Sequence, residues 1–418
     1  MKKYIQFGLI LTMAIFVLLP SFGIVVSQSL GERELFSFVE KILQEEYVNP
    51  RDLDVPKIIA TYKNKLNEIC KVAKDCTSTN TKTIVLEMLN TFQDAHLAFV
   101  DDSSADTRVG LSNPSGRFGF FGKFNDKKYV VTFVYPESPA EKSGIAVGDE
   151  VIAINGKVVK VNEIEKTLRS KETSFSETKI RFRSRGVLKE VKLRGSDSRP
   201  YLAVSSQISA SVSYIRIPEA DIYQEQEFHN QIFKANQANV KNLVLDLRDN
   251  GGGSSVASMK MAAAFFAKPG RIMVQKDGVR WVLEFNGRGV SWRNAADSSV
   301  NGSFVGEVER VASFAGRVAI LVSETTYSAG EHFVHLLQTS GKARVFGIPS
   351  AGALDSSAIY KAYPEGGYLY YGINRYQDLN GVWLPPRVTP DELVPLDLDL
   401  LTQGRDTQLE AALKYLSQ

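Results

Sequence analysis

The chain reads as a multidomain α/β protein, and three features of its sequence predict this. From Leu243 onward, apolar β-branched runs alternate with helical ones. Leu243-Val244-Leu245-Asp246-Leu247 precedes a helical run over 257–266, and Val318-Ala319-Ile320-Leu321-Val322 precedes another over 331–338, followed by a strand at 344–346. Such alternation builds a mostly parallel sheet covered by helices. Ahead of it, Val130-Val131-Thr132-Phe133-Val134 and Lys179-Ile180-Arg181-Phe182-Arg183 alternate with the two-residue period of half-buried strands, which marks a β-rich module. Leu35, Phe38, Val39 and Ile42, and then Leu86, Met88, Leu89 and Phe92, fall at helical spacing and predict a helical segment first.

The elements follow in order. Lys2-Lys3 precedes an apolar run from about 7 to 26, broken by Pro20, Ser21 and Gly23. A basic start and an apolar stretch make residues 1–27 an export signal or, at roughly 20 apolar residues, a retained membrane anchor. Both stay open, since Val25-Val26-Ser27 is a passable cleavage context without the Ala-x-Ala form. Either way the remainder is expected outside the cytoplasm, periplasmic or otherwise extracytoplasmic. Residues 30–100 form the helical domain. Within it Cys70 and Cys76 can bridge in an oxidising compartment, whereas two thiolates without histidines make a poor zinc site. An Asp-, Ser- and Asn-rich linker covers 101–115, the β module 116–195, and a second linker Gly195 to Pro200. The core then spans 200–418, opening on Ser213-Tyr214-Ile215-Arg216-Ile217-Pro218 and including a strongly β stretch from Tyr368 to Tyr376.

Charge excludes one class of partner. The 418 residues carry 50 basic and 47 acidic side chains for a net +3, with no sustained basic block, so no nucleic-acid partner is expected.

Three segments carry chemistry. The run 318–322 enters Thr325-Thr326-Tyr327-Ser328-Ala329-Gly330-Glu331, a strand-to-helix junction with Ser328 at the strand's carboxyl end. Free N–H groups at a helix start can hold a developing oxyanion, and a serine there can attack a carbonyl. The plain alternative is a helix cap, with Glu331 closing a capping box. Asp246-Leu247-Arg248-Asp249-Asn250 leads into Gly251-Gly252-Gly253, where backbone can approach a ligand closely. No Lys-Ser/Thr pair follows, so this is not a P-loop. Asp94-Ala95-His96-Leu97-Ala98-Phe99 holds one of only four histidines.

Residues 246–253 together with Ser328-Ala329-Gly330-Glu331 resemble the carboxyl-terminal processing (tail-specific) serine protease superfamily. Ser138-Pro139-Ala140-Glu141-Lys142-Ser143-Gly144-Ile145, leading into 148–156, resembles the helix, turn and strand of a PDZ domain, and Arg117-Phe118-Gly119-Phe120 resembles its carboxylate-binding loop. The likeness covers roughly 85 to 400. It implies a core of the ClpP/crotonase-like type and an exported serine endopeptidase that binds polypeptide C-termini through Phe118, Gly119 and Phe120. It implies Ser328 as nucleophile, Gly252, Gly251 and Ala329 as oxyanion donors, and Glu331 and Asp246 in support. No metal or organic cofactor is implied.

Two departures shape the expected mechanism. Many members pair the serine with a lysine about 25 residues on; here that position is Ala353. A second, tricorn-like branch uses a histidine ahead of the core, the place His96 occupies, and neutral imidazole suits a serine nucleophile at neutral pH. That branch completes its relay with a glutamate before a Pro-Asp motif. Here Pro390-Asp391 is kept without that glutamate, leaving Asp94, Asp355 and Glu365 as candidates. The missing lysine and third group feed a rival reading, an inactive protein that binds peptides or apolar ligands on the same fold. A hydrolase of esters or small molecules is a further possibility, one that a carboxylate-reading module disfavours.

Other residues receive plainer readings. His332 and His335 lie three apart on one helix without a third metal ligand in evidence, which reads as packing or surface. Trp281, Trp292 and Trp383 read as core or groove lining. His229, among Gln224, Glu225, Glu227 and Gln231, reads as part of a solvated helix face.

Overall fold

The computed structural model describes residues 33–100, 118–125, 128–161, 164–169, 176–195, 202–299 and 308–418. The expected leader, both linkers save Gly195, and Arg117 lie outside them. No helix among the described residues is long and apolar enough to cross a membrane.

Three helices come first, α1 (Glu34–Glu45), α2 (Val55–Ile69) and α3 (Ser78–Asn90). Asp54 caps α2 by accepting the Lys57 N–H, and Thr77 caps α3 through Asn80. Leu35, Phe36, Val39, Ile42 and Leu43 of α1 pack against Ile84, Val85, Met88 and Leu89 of α3. Leu86 faces out, because 84, 85, 88 and 89 form the inward face of α3. Cys70 and Cys76 are bonded to each other across the turn between α2 and α3. The segment ends in β1 (Ala98–Val100), just past His96.

The β module follows with β2 (Phe120–Asn125), β3 (Lys128–Val134), α4 (Pro139–Lys142), β4 (Glu150–Ile154), β5 (Lys157–Val158), α5 (Ile164–Arg169), β6 (Thr178–Ser184) and β7 (Val187–Leu193). Its antiparallel sheet runs β2-β3-β4-β6-β7, with β5 on β4, so β2 is an edge strand among the described residues. Phe118, Phe120, Val131, Ile145, Ile180 and Phe182 fill its core.

The core comprises β8 (Val204–Ser209), β9 (Val212–Arg216), α6 (Ile222–Gln237), β10 (Asn242–Asp246), α7 (Ser255–Ala262), β11 (Gly270–Gln275), β12 (Arg280–Phe285), β13 (Val290–Asn294), β14 (Arg317–Val322), α8 (Ala329–Thr339), β15 (Arg344–Gly347), β16 (Ser356–Ala362), β17 (Tyr368–Gln377), β18 (Glu392–Leu393), α9 (Leu398–Thr402) and α10 (Thr407–Leu416). One sheet has the order β18-β15-β14-β10-β9-β8, parallel throughout except where β8 meets β9. Alternation sorts its faces: Leu243 and Leu245 join Phe228, Met261 and Phe333 on one side, and Val244 joins Ala412 and Leu416 on the other. The second sheet is antiparallel, β1-β17-β11-β12-β13 with β16 on β17. Ala98 pairs with Tyr370, and this pairing carries the N-terminal segment, and His96 with it, onto the core.

α7 stops at Ala262, earlier than the run to 266 suggests, and Phe265 beyond it turns into the core against Phe228, Phe314 and Phe333. His229 is a correction of larger consequence. It is fully buried, with Gln224, Glu225 and Gln231 also buried, because α6 is covered on this side. Its Nε2 lies 3.1 Å from the Lys260 carbonyl oxygen and its Nδ1 accepts the Ala312 N–H at 3.2 Å. That pair of partners suits only a neutral ring, and burial pushes the pKa down to about 4.

The unfolded chain therefore takes up a proton at His229 near pH 6.5 that the folded chain refuses until about pH 4. The associated stability is present above pH 6.5 and lost as pH falls toward 4. His229→Gln is expected to reduce the slope of unfolding free energy between those limits by about 1.4 kcal/mol per pH unit, one proton's worth, read from urea titrations at several pH values.

Candidate active site

The site grows from the turn between β14 and α8. Ser328 has φ 46° and ψ −114°, a backbone state that costs a non-glycine residue about 1–3 kcal/mol. Neighbouring bonds hold it there. Thr326 donates its hydroxyl to Leu247 O at 2.8 Å, the Tyr327 N–H reaches Asn250 O at 2.9 Å, and the Ser328 N–H reaches Glu331 Oε2 at 2.8 Å. Glu331 thus holds Ser328 as a capping-box glutamate would, while Ser328 Oγ lies 3.1 Å from His96 Nε2.

His96 arrives from the N-terminal segment. Its N–H donates to Asp94 Oδ1 at 2.8 Å, and its ring stands edge-on to Tyr327 and Tyr370. Tyr327 also donates its hydroxyl to Ala95 O at 2.7 Å, tying the serine turn to the histidine segment. The imidazole is fully buried, and burial, aided by the Arg51 charge, pushes its pKa down to about 3.

The third partner is none of the expected carboxylates. His96 Nδ1 lies 2.7 Å from Ser356 Oγ at the start of β16. Asp94 is occupied by the His96 backbone and the Tyr47 hydroxyl, Asp355 pairs with Arg51, and Glu365 takes the Tyr363 hydroxyl. Burial raises the pKa of both Asp94 and Asp355.

The glycine loop reaches the site differently from expectation. A Cβ at Gly252 would lie 3.0 Å from Ser328 Cβ, and its φ of +95° also calls for glycine. Its N–H, however, donates to Asn250 Oδ1 at 2.9 Å and is not a free donor in this conformation. Asn250 is in turn anchored through Nδ2 to Ile217 O at 3.0 Å. Gly251 is exposed beside it. No hydrogen bond among the described residues engages the Ala329 N–H at the start of α8.

Two carboxylates brace this arrangement. Glu331 accepts from Ser328 N, Ser350 Oγ (2.5 Å), Gly352 N (3.0 Å) and Ala353 N (2.8 Å). Burial raises its pKa and these four donors oppose the rise. Asp246, at the end of β10, accepts from Tyr214, Arg216 and Arg248.

In the β module, Phe118 O accepts the Ala140 N–H and Gly119 O the Tyr135 N–H, both at 2.8 Å. A trans peptide points its N–H opposite its carbonyl, so the Gly119 and Phe120 N–H groups face away from α4 and β3. The module meets the core where Arg216 lies over the Phe133 ring at 3.9 Å and Lys123 pairs with Glu324 at 2.9 Å.

Residues 211–394 match the family model of Peptidase family S41, and residues 130–174 match that of a PDZ domain. Residues 211–394, a little under half of the chain, thus resemble an S41 peptidase domain. A "Probable CtpA-like serine protease" of Staphylococcus haemolyticus (strain JCSC1435) is 26% identical over 345 residues, 80% of this chain and 62% of that protein. Its counterpart in Staphylococcus aureus (strain N315) is 24% identical over 330 residues, 76% of this chain and 62% of that protein. The chain thus spans 62% of the length of these curated relatives. Among solved structures, a photosystem II D1 C-terminal processing protease superposes with a TM-score of 0.52 at 19% identity, covering 93% of this chain and 97% of that one. Mature CPAF gives 0.52 at 14% identity, covering 94% and 96%. These likenesses show the fold.

Ser356 and the side-chain role of Asn250 are what sequence reasoning missed at this site. A Ser-Ser pair after Asp355 carries no distinguishing signal, and only the β16–β17 pairing brings it to His96. His332 and His335 hold no metal arrangement, and no group of His, Cys, Asp and Glu among the described residues could hold one. Glu331→Gln keeps the size but turns an acceptor into a donor facing backbone N–H groups. It is expected to cost about 1–3 kcal/mol in urea unfolding and to slow labelling of Ser328 by a fluorophosphonate.

Proposed function

We propose that this protein is an exported serine endopeptidase that hydrolyses polypeptides by a Ser-His mechanism. The observation that carries the reading is the 3.1 Å approach of His96 Nε2 to Ser328 Oγ, made by residues 232 apart in the chain. Ala353, buried where the Ser-Lys branch has its lysine, favours the Ser-His branch.

For His96 to act as base, Nδ1–H donates to Ser356 Oγ and the bare Nε2 accepts the Ser328 hydroxyl. Ser328 Oγ attacks the peptide carbonyl and its proton passes to Nε2. The tetrahedral intermediate collapses, the C–N bond breaks, and the proton leaves with the amine. Water then repeats the cycle on the acyl-enzyme. The Ala329 N–H faces the developing oxyanion, and the Gly252 N–H joins it by exchanging Asn250 Oδ1 for a more strongly accepting oxyanion.

Substrate docking uses the PDZ domain. Its edge strand β2 leaves room for an added strand, and the N–H groups of Gly119 and Phe120 receive a terminal carboxylate. Export is supported by the basic, apolar N-terminal sequence and by the Cys70–Cys76 bond, which suits an oxidising compartment.

A binding protein on this fold is the second reading, favoured by the occupied Gly252 N–H and the absence of a carboxylate on Nδ1. Labelling with a fluorophosphonate separates the two. The parent is expected to label, Ser328→Ala and His96→Ala to lose labelling and peptide hydrolysis, and Ser356→Ala to slow both about tenfold or more. An unlabelled parent, or hydrolysis that survives Ser328→Ala, would sink the peptidase reading. Because the His96 pKa is pushed down to about 3, labelling should hold its rate from pH 7 to 5 rather than halve near 6.5.

A further inference from the structure

Among the described residues, one buried cation in the core has no hydrogen-bonding or charged partner. Arg271, on β11, is 2% exposed, and among the described residues none of its three guanidinium nitrogens makes a hydrogen bond or ion pair. It lies over the ring of Tyr376 at 5.1 Å, and burial pushes its pKa down to about 10. A buried arginine is normally paired, since an uncompensated charge in an interior is among the costliest features a fold can carry.

A second orphan sits beside it. His332 is 1% exposed, both its ring nitrogens lack partners among the described residues, and its ring meets the same Tyr376 edge-on at 4.9 Å. The His335 ring is close enough for the Arg271 charge to add to burial in pushing its pKa down to about 4. Asp378 is the acid that acts on His335, and it forms no ion pair with Arg271.

The cluster adjoins the candidate active site. His332 follows Ser328 by one helical turn, its N–H bonded to Ser328 O at 3.0 Å. The Tyr376 hydroxyl is 3.4 Å from Ser255 Oγ, half-buried in the first turn of α7 just beyond the glycine loop. Two buried groups without hydrogen-bond acceptors thus lie against the same tyrosine ring, one of them a single helical turn past Ser328.

We propose that Arg271 and His332, with Tyr376 and Ser255, form a subsite for a carboxylate of the polypeptide substrate, close to the bond attacked by Ser328. Guanidinium takes carboxylate in a bidentate fork, and the orphaned imidazole adds a further donor. The carboxylate comes from an acidic side chain or from a free chain end. The proposal deepens the peptidase reading and rests on it for the bond's position.

The test is calorimetric binding to the full chain carrying Ser328→Ala, which holds peptide without cutting it. Three N-acetylated peptides are compared: one with Glu and a C-terminal amide, one with Leu in its place and a free C-terminus, and one with Leu and an amide. Adding Arg271→Met should weaken the Glu peptide or the free-ended peptide about ten- to a hundredfold, as expected for a charge-assisted contact, and leave the third unchanged. Loss on the first assigns the site to an acidic side chain, and loss on the second to a chain end. Unchanged affinity for all three overturns the proposal. If Arg271→Met does not fold, His332→Phe, which keeps a ring against Tyr376, is read the same way with an expected loss of about three- to tenfold. An unreactive Ser328 would strike the peptidase reading alone, because this binding requires no hydrolysis.

Discussion

The buried carboxylate of Asp246 is the constraint on which the rest of the molecule leans. It stands at the carboxyl end of the central strand β10, wholly out of water. Burial would raise its pKa, but the guanidiniums of Arg248 and Arg216 override that and hold it well below the usual carboxylate range. Arg248 grips it through Nε and Nη2 at 3.0 and 2.8 Å and continues to Asp406, which caps α10, and to Gln408 within that helix. Arg216 reaches Asp249 at 2.5 Å and carries Phe133 of the PDZ domain on its other side. One anion therefore ties together the strand, the glycine loop, the last helix and the neighbouring domain. Removing a single partner would leave charge stranded in the interior, a change of about 3–5 kcal/mol.

The geometry around Ser328 rests on this frame but is built from contacts of a different kind. Ser328 is held in an unfavourable backbone state by hydrogen bonds to the loop after β10 and to Glu331 of its own helix, and His96 comes from a separate segment. A hydroxyl on Nδ1 permits either imidazole tautomer, where a carboxylate would require the N–H there. The His96 imidazole is accordingly kept neutral by burial more than it is oriented by a fixed counter-charge.

How much of this could be read from the chain follows from the range of each interaction. Periodicity located β10, β14 and α8, because local apolar alternation encodes them directly. Glycines and small residues marked the serine turn and the loop beside it. The antiparallel strands β11, β12 and β13 left a weaker trace, since Arg271, Glu284 and Arg293 interrupt their apolar pattern. His229 was misread because polar neighbours suggested a wet helix face, whereas those neighbours are buried in polar contacts such as Gln224 to Ala203 and Glu225 to Lys260. Ser356 and the side-chain role of Asn250 exist only through pairings across the fold, which spacing along the chain does not express.

Gly330 shows what such a corner demands. A Cβ there would stand 2.3 Å from Asn250 Oδ1, and one at Gly252 would press on Ser328 from the other side. The amide of Asn250 thus fills the space of the methyl group that Gly330 lacks, while Ser328 and the Tyr327 carbonyl border the one that Gly252 lacks. A side chain at Gly330 therefore requires Asn250 to move, and with it the anchor that Asn250 makes to Ile217 O.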